Sequence, residues 1–280
     1  MRVMLVDSNY FCYKAKLTTG NLQYNGVQTG IMFGFINQLM TAAKEIQPDK
    51  IIFTWDSKKS ERKKILPCYK EKRKDNQTEE EQREWEEAFS QFKQLQKEIL
   101  PRIGFNNNFI QTGYESDDLI AKYVFDNDNK HIYIVTADDD MLQLLHKAHI
   151  FNPAKNMVLG HNYLIENHGI KPPDWVSVKQ IAGCSSDNVP GVPGVGEKTA
   201  IKYLKGDMKK TTKTYQRIKE NKDLIEFNKR IVELPFEGTK PLKEDVNEFD
   251  MREFLRFCRD YGLNHFRKDD NKEQIRQLFK

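Results

Sequence analysis

Aspartates stand at the ends of three apolar runs. VMLV (Val3–Val6) leads into Asp7, KIIFTW (Lys50–Trp55) into Asp56, and HIYIVT (His131–Thr136) reaches Asp138 two residues on. Two further clusters follow the same theme, Glu115-Ser-Asp117-Asp118 and Asp138-Asp139-Asp140. An isolated acidic cluster has a plain use, because carboxylates suit a helix N-terminus, and Asp117 and Asp118 fit it. Carboxylates brought together from several segments are different. Like charges at close range resist ionisation and need a cation between them. Hard oxygen ligands select Mg²⁺ or Mn²⁺. Two such ions roughly 4 Å apart clamp a phosphodiester, activating water on one side and stabilising the leaving oxygen on the other.

A second constellation lies at Gly191-Val-Pro-Gly194-Val-Gly196, followed by Glu197-Lys198-Thr199-Ala200. Glycines let a backbone approach a phosphate, and N–H groups at a helix start point at it. Such a hairpin is more often only a turn. Lys198 in the first helical turn favours contact with a nucleic-acid backbone.

The elements that must position these residues can be read from periodicity. The three apolar runs are the pattern of buried parallel strands. Between the first two, Thr29 can cap a helix to about Ile46, with Ile31, Phe35, Leu39, Ala42 and Ile46 on one face and Pro48 ending it. A helix is expected from about Thr78 to Leu100, where Trp85, Phe89, Phe92, Leu95 and Ile99 keep helical spacing. Gly104–Gln111 reads as a weak strand, Ser116–Phe125 as a short helix, and Met141–Leu145 as the start of another. Alternating strands and helices imply an α/β domain with a mainly parallel sheet. In such sheets ligands bind beyond the carboxyl ends of the strands, where Asp7, Asp56 and Asp138 fall. After about Pro172 the character changes, with a helix at Trp175–Ala182, the glycine hairpin, and a charged helical remainder. The expected division is a catalytic α/β domain over 1–174 and a helical region over 175–280.

Composition limits the partners. The 280 residues carry a net charge of +4 and are 38% hydrophobic and 31% charged, so a core is affordable and disorder is not expected. No run approaches a membrane span and no signal-peptide pattern opens the chain, so a cytoplasmic protein is expected. The four cysteines (Cys12, Cys68, Cys184 and Cys258) form no CxxC pair, against a zinc site or disulfide framework. Charge is unevenly spread. Lys58–Lys74 (KKSERKKILPCYKEKRK) has nine basic residues against two acidic, and Glu79–Glu87 is acidic. A charge run is ordinarily a solvated face. Ile65, Leu66 and Tyr69 inside this one suit a surface that tracks phosphates.

In order along the chain, these motifs resemble the 5′-nuclease, or flap endonuclease, family, bacterial and bacteriophage members most of all. LVDSNYFCYKA resembles the family's first strand and helix, and NGVQTGIMFGFINQL its second helix. FTWDS, Arg62 and PCYKEKR resemble its second metal strand and a basic arch, here at about 58–92. GYESDDLIA and VTADDDMLQLL resemble its two central acidic motifs. SSDNVPGVPGVGEKTA resembles its helix–three-turn–helix, and FNKRIVELPF also looks familial. The likeness implies a PIN-like α/β fold, and an enzyme that hydrolyses DNA at 5′ ends, flaps or nicks by two-metal-ion catalysis, without a covalent intermediate. It implies Asp7, Asp56 and Asp117 as ligands of a first metal, Glu115, Asp138 and Asp140 as ligands of the second or of both, and Asp118 and Asp187 close by through water. It implies Arg62 and Lys70 as basic groups steering the scissile phosphate, and Tyr13 as an aromatic for a terminal base, a position that equally fits a core tyrosine. DNA contacts would come from Tyr69, Arg73, Gly191, Gly194, Gly196, Lys198 and Thr199, with K⁺ on the hairpin carbonyls. A monomer acting on branched, nicked or 5′-ended duplex is expected, with an RNA/DNA hybrid and replication proteins as further partners.

One position departs from the pattern. The family reads Gly-Asp before its hairpin; this chain reads Gly183-Cys184. Sulfur is a poor partner for Mg²⁺, so the second metal site should be weakened. The alternatives are a catalytically weakened DNA-junction binder, suggested by Cys184, and a PIN-type ribonuclease, which would not need the hairpin.

Overall fold

The computed structural model describes residues 1–74 and 78–279, with the backbone alone for Arg73 and Lys74. Its strands are β1 (Arg2–Asp7), β2 (Gln23–Tyr24), β3 (Val27–Gln28), β4 (Lys50–Trp55), β5 (Asn108–Ile110), β6 (His131–Val135), β7 (His149–Asn152) and β8 (Met157–Leu159). β2 and β3 form a small separate hairpin. The other six make one sheet in the order β5-β4-β1-β6-β7-β8, parallel except for β8.

Alternation along β1 explains its unbroken apolar sequence. Val3 and Leu5 enter one core, Met4 and Val6 the other, and all four are fully buried. A strand covered on both faces has no polar side. Register then aligns the strand ends: Asp7 lies opposite Thr54 and Val6 opposite Val135. Asp7, Asp56 and Asp138 therefore leave the sheet at one edge.

Helices α1 (Ser8–Thr19) and α2 (Gly30–Ile46) cover one face. The Thr29 side chain makes no capping bond, contrary to the expectation for it, and Gln47, with φ of 51°, turns the chain out of α2 ahead of Pro48. The short α3 (Arg62–Ile65) lies within the basic segment. Next comes α4 (Glu79–Gln94), with a capping box between Thr78 and Glu81. It continues through a wide turn at Leu95–Ile99 into α5 (Leu100–Arg102). The expected strand at 104–111 shrinks to the three residues of β5; just before it the Asn107 amide donates to the Asn247 side chain, while its carbonyl still accepts from the Phe53 amide of β4. Beyond α6 (Ser116–Asp126) and β6, the expected helix at Met141 is a 3-10 turn over Asp139–Leu144. β7, β8 and α7 (Tyr163–His168) were not read from sequence.

α8 (Asp174–Ala182), α9 (Glu197–Leu204) and α10 (Lys213–Glu220) bury residues on the other face, and α11 (Lys222–Val232) packs on α8. A strap over 233–250 then crosses the sheet's far edge. There Glu244 meets Lys50 and Lys130, both at 2.5 Å, and the Tyr123 hydroxyl at 3.0 Å. Burial opposes its charge, but these donors hold Glu244 down at about 2. α12 (Met251–Asp260) and α13 (Asp269–Leu278) return to the first face, where Phe254, Phe257 and Phe266 join the core of α1 and α2. Residues 251–279, assigned from sequence to the second region, thus pack with the first. Among the described residues no helix is long and apolar enough to cross a membrane.

Candidate metal centre and hairpin

Asp7 ends β1 and caps α1, accepting from the Tyr10 amide at 3.1 Å. The Thr136 hydroxyl, from the end of β6, donates to its other oxygen at 3.1 Å. Asp56 is held from both sides: its amide donates to the Asn9 side chain at 3.0 Å, and its carboxylate accepts from the Ser116 amide at 2.8 Å. Asp138 caps the 3-10 turn, accepting from the Asp140 amide at 2.8 Å. Asp117 sits in the first turn of α6.

Asp7 and Asp117 lie near enough to the other carboxylates for their charges to repel. Burial, then Asp56 and Asp138, pushes Asp7 up to about 7. Burial and then Asp138, Asp7 and Asp56 raise Asp117 well above the carboxylate range, although part of the residue is open to solvent. Asp138 is pushed up to about 6 by the protein mass around its carboxylate and by Asp140, even with its outer side exposed at the cleft mouth. A folded protein that holds hard oxygen donors against their own repulsion is a fit for a hard divalent cation.

A second group lies beside the first. Lys70, in the left-handed backbone region with φ of 57°, donates to Glu115 at 2.7 Å and stands 3.9 Å from Asp187. The Tyr69 hydroxyl donates to Glu115 at 3.0 Å and lies 3.3 Å from Asp187. Burial works against charge on Glu115, but Lys70 and Arg62 outweigh it and hold Glu115 below its ordinary range. Ligand atoms of Asp140, Cys184 and Asp187 all fall within 4.8 Å of one another, a cluster able to hold a divalent metal. Cys184 is half-buried at the cleft wall, with its sulfur 3.1 Å from the Ser186 hydroxyl. Sequence reasoning missed Lys179, whose ammonium is 2.9 Å from Asp140 and 2.9 Å from Glu197. Its signal was a lysine on the apolar face of α8, four residues after Trp175.

Several expected roles do not survive the geometry. Arg62 is 3% exposed and cannot reach a substrate phosphate. Its guanidinium makes two 2.7 Å bonds to Asp118 and one of 2.9 Å to the Ile231 carbonyl. Asp118 is fully buried and also accepts from the Phe236 and Glu115 amides, so it belongs to this ion pair and not to a metal. Tyr69 is buried with its hydroxyl in the acid cluster and offers DNA no ring. Tyr13 is half-buried against Trp85, Phe89 and Phe92 of α4, at ring separations of 5.4, 6.4 and 5.4 Å, so the core-tyrosine reading describes it better. The Arg73 side chain lies outside the described residues.

The hairpin joins α8 to α9. Gly191 is needed inside the protein: a Cβ there would lie 2.0 Å from the Ala182 carbonyl oxygen. Gly194 has φ of 72°, a conformation that favours glycine. Gly196, Lys198 and Gly194 are exposed, and Thr199 is half-buried, so this turn and the start of α9 face outward. The Pro190 carbonyl accepts from Asn228 at 2.6 Å and the Pro193 carbonyl from Arg217 at 2.7 Å. The Arg217 guanidinium thus sits on one of the turn carbonyls expected to face K⁺.

Fold and site together define an α/β protein that gathers carboxylates for divalent metal at the carboxyl edge of its sheet. Residues 2–169 match the family model described as 5′-3′ exonuclease, N-terminal resolvase-like domain. The chain belongs to this 5′-3′ exonuclease family. It is 30% identical over 288 residues to the thermostable DNA polymerase I of Thermus thermophilus, a match taking in 94% of this chain but only 33% of the polymerase. The chain thus spans about a third of that relative. It is 29% identical over 261 residues to the 5′-3′ exonuclease of Buchnera aphidicola, covering 91% of this chain and 84% of the relative. Among solved structures it is similar to T5 5′-exonuclease with bound zinc (TM-score 0.72, 23% identity, 84% of this chain and 90% of that one). The catalytic core of Rad2 in complex with DNA has a TM-score of 0.58 at 16% identity, over 99% and 92% of the two chains.

Proposed function

We propose that the protein is a structure-specific 5′ nuclease, hydrolysing DNA phosphodiester bonds at 5′ ends, flaps or nicks in replication, recombination or repair. The observation that carries this is the crowding of Asp7, Asp117 and Asp138 beside Asp56 at one sheet edge, with Lys70 across the cleft. Asp7, Asp56, Asp117 and Asp138 would hold Mg²⁺ or Mn²⁺, which would supply charge neutralisation and water activation. The chain's own part is to hold the acids still. Tyr10, Thr136 and Ser116 fix carboxylate oxygens, so no reorganisation is needed as charge develops. Lys70 would meet negative charge building on the scissile phosphate, oriented by Glu115, which Tyr69 in turn holds. The exposed hairpin and first turn of α9, with Lys198, offer backbone N–H groups to a duplex strand, the part that a helix–three-turn–helix plays. A PIN-type ribonuclease would have no use for that surface.

Cleavage of end-labelled 5′-flap, nicked and blunt duplexes in Mg²⁺ tests the reading. Release of 5′ fragments from flap and nicked substrates is expected. Tight binding to branched DNA without cleavage would make the chain a junction-binding relative instead.

A further inference from the structure

Lys179 stands between the two parts of the molecule. It is a side chain only 9% exposed, on the helix that backs the hairpin, and its ammonium lies 5.6 Å from the centre of the Trp175 ring. A lysine this deep needs carboxylate partners to stay charged. It has two, and they belong to different places. Asp140 is in the metal-capable cluster with Cys184 and Asp187. Glu197 is the first residue of α9, 44% exposed, at the turn that faces outward. Both oxygens are 2.9 Å from one ammonium. The bridge therefore joins the acid cluster to the first turn of the hairpin helix.

We propose that Lys179 is a positioning residue shared between Asp140 and Glu197, so that the charge at the start of α9 sets how readily Asp140 serves a divalent cation. The inference rests on the metal reading above. A divalent ion at Asp140 competes with the ammonium for the same oxygen. Glu197 makes that competition easier by offering Lys179 a second place to rest. A phosphate docking at the start of α9 meets Glu197 as a like charge, and the ammonium displaced by metal neutralises it. Metal at the cluster and phosphate at the hairpin should then favour each other, and linkage makes this reciprocal. A purely structural bridge between α8 and α9 would affect stability and leave metal affinity alone.

The test is Mn²⁺ titrated into the DNA-free protein and followed by calorimetry, for the parent, Glu197→Gln, Lys179→Met and the double variant. Glu197→Gln confines the ammonium to Asp140, and should weaken the weaker Mn²⁺ event by about three- to tenfold. Lys179→Met releases Asp140 and should strengthen that event, or reveal it if the parent shows only one. In the Lys179→Met background, Glu197→Gln should change affinity less than twofold. Thermal unfolding of each variant shows that the fold is kept. Affinities unmoved by Glu197→Gln, an equal loss in both backgrounds, or a single event of unchanged affinity in all four proteins would overturn the proposal. A parent that binds no Mn²⁺ at all would instead overturn the metal reading itself.

Discussion

Two acidic groups share one sheet edge, and they are built on opposite principles. Burial, with repulsion from Asp138 and Asp56, drives Asp7 and Asp117 towards their protonated forms, and burial with Asp140 does the same to Asp138. Glu115 and Asp140, a few residues away, lie against lysine ammonium groups at 2.7 and 2.9 Å, and Glu115 is held in its charged form. The first group stores repulsion that a divalent cation relieves. The second already has its positive charge from Lys70 and Lys179. A site that stores repulsion should bind metal strongly and cost stability without it. A site balanced by lysines should be stable alone and bind metal weakly. Cys184, in place of the family's aspartate, moves the second group further the same way.

The sharpest way to break this contrast is to remove one member of the first group. Asp7→Ala should lower cleavage by at least about a hundredfold and leave duplex binding largely intact, because the acids themselves oppose phosphate. Near-normal turnover in this variant would remove the first group from the chemistry. Gel-shift binding measured beside cleavage separates the two effects.

Next in size is the buried pair behind the second group. Arg62→Ala leaves Asp118 charged with no cation at full burial, and should destabilise the protein by about 3–5 kcal/mol in denaturant unfolding. Lys70→Ala, at the open cleft, should lower the cleavage rate and move stability much less. If the two variants behaved alike in both measurements, Arg62 would have to be counted with Lys70 as a substrate group.

Arg62 also marks where the sequence was misleading. A basic residue in a run such as Lys58–Lys74 reads as solvated, and Lys63 and Lys64 are exposed. Only the fold reveals that the chain from Ile231 to Phe236 closes over Arg62. The strand-end acids were legible because a strand buried on both faces leaves an unbroken apolar run ending abruptly in a polar residue. β7 and β8 escaped because four and three residues are too few for a period to show. The strap to Asp250 has no period at all; it is held by side chains such as Asn107 and Glu244 from remote segments. The return of α12 and α13 to the first core is a packing choice that their amphipathic pattern does not specify.

A smaller effect tests the stored repulsion directly, in protein freed of metal by chelation. Asp7→Asn should raise stability by about 0.5–2 kcal/mol, and Glu115→Gln should lower it by about 1–3 kcal/mol. The signs follow from linkage. Asp7 titrates near 7 in the folded chain against 3.8 unfolded, so the parent loses stability as pH rises between those values. The advantage of Asp7→Asn should therefore grow from pH 4 to pH 8. Glu115 is shifted the other way, so its contribution is present above its ordinary 4.5 and is lost as pH falls. Thermal unfolding across this range reads both trends, and parallel curves for the two variants would dissolve the contrast. Added Mn²⁺ should erase the Asp7→Asn advantage, since the cation relieves the same repulsion.

The smallest expected effect is at Cys184. Its sulfur lies within 4.8 Å of oxygens from Asp140 and Asp187, so the position faces the cluster and not the interior of α8. An aspartate there adds a hard oxygen and a negative charge to a group that Lys70 and Lys179 now balance. That surplus can be met by Mg²⁺, whereas sulfur favours softer ions. Cys184→Asp should therefore reach half-maximal cleavage at about three- to tenfold lower Mg²⁺, with little change at saturating metal, where the first group dominates. Cys184→Ser, which removes sulfur without adding charge, should move the titration much less. Equal shifts in the two variants would mean that sulfur itself obstructs the metal, and that the lysine balance is not what keeps the second group weak. Titrations that coincide with the parent would show that position 184 does not serve the metal at all, and the two groups would then differ only in their lysines.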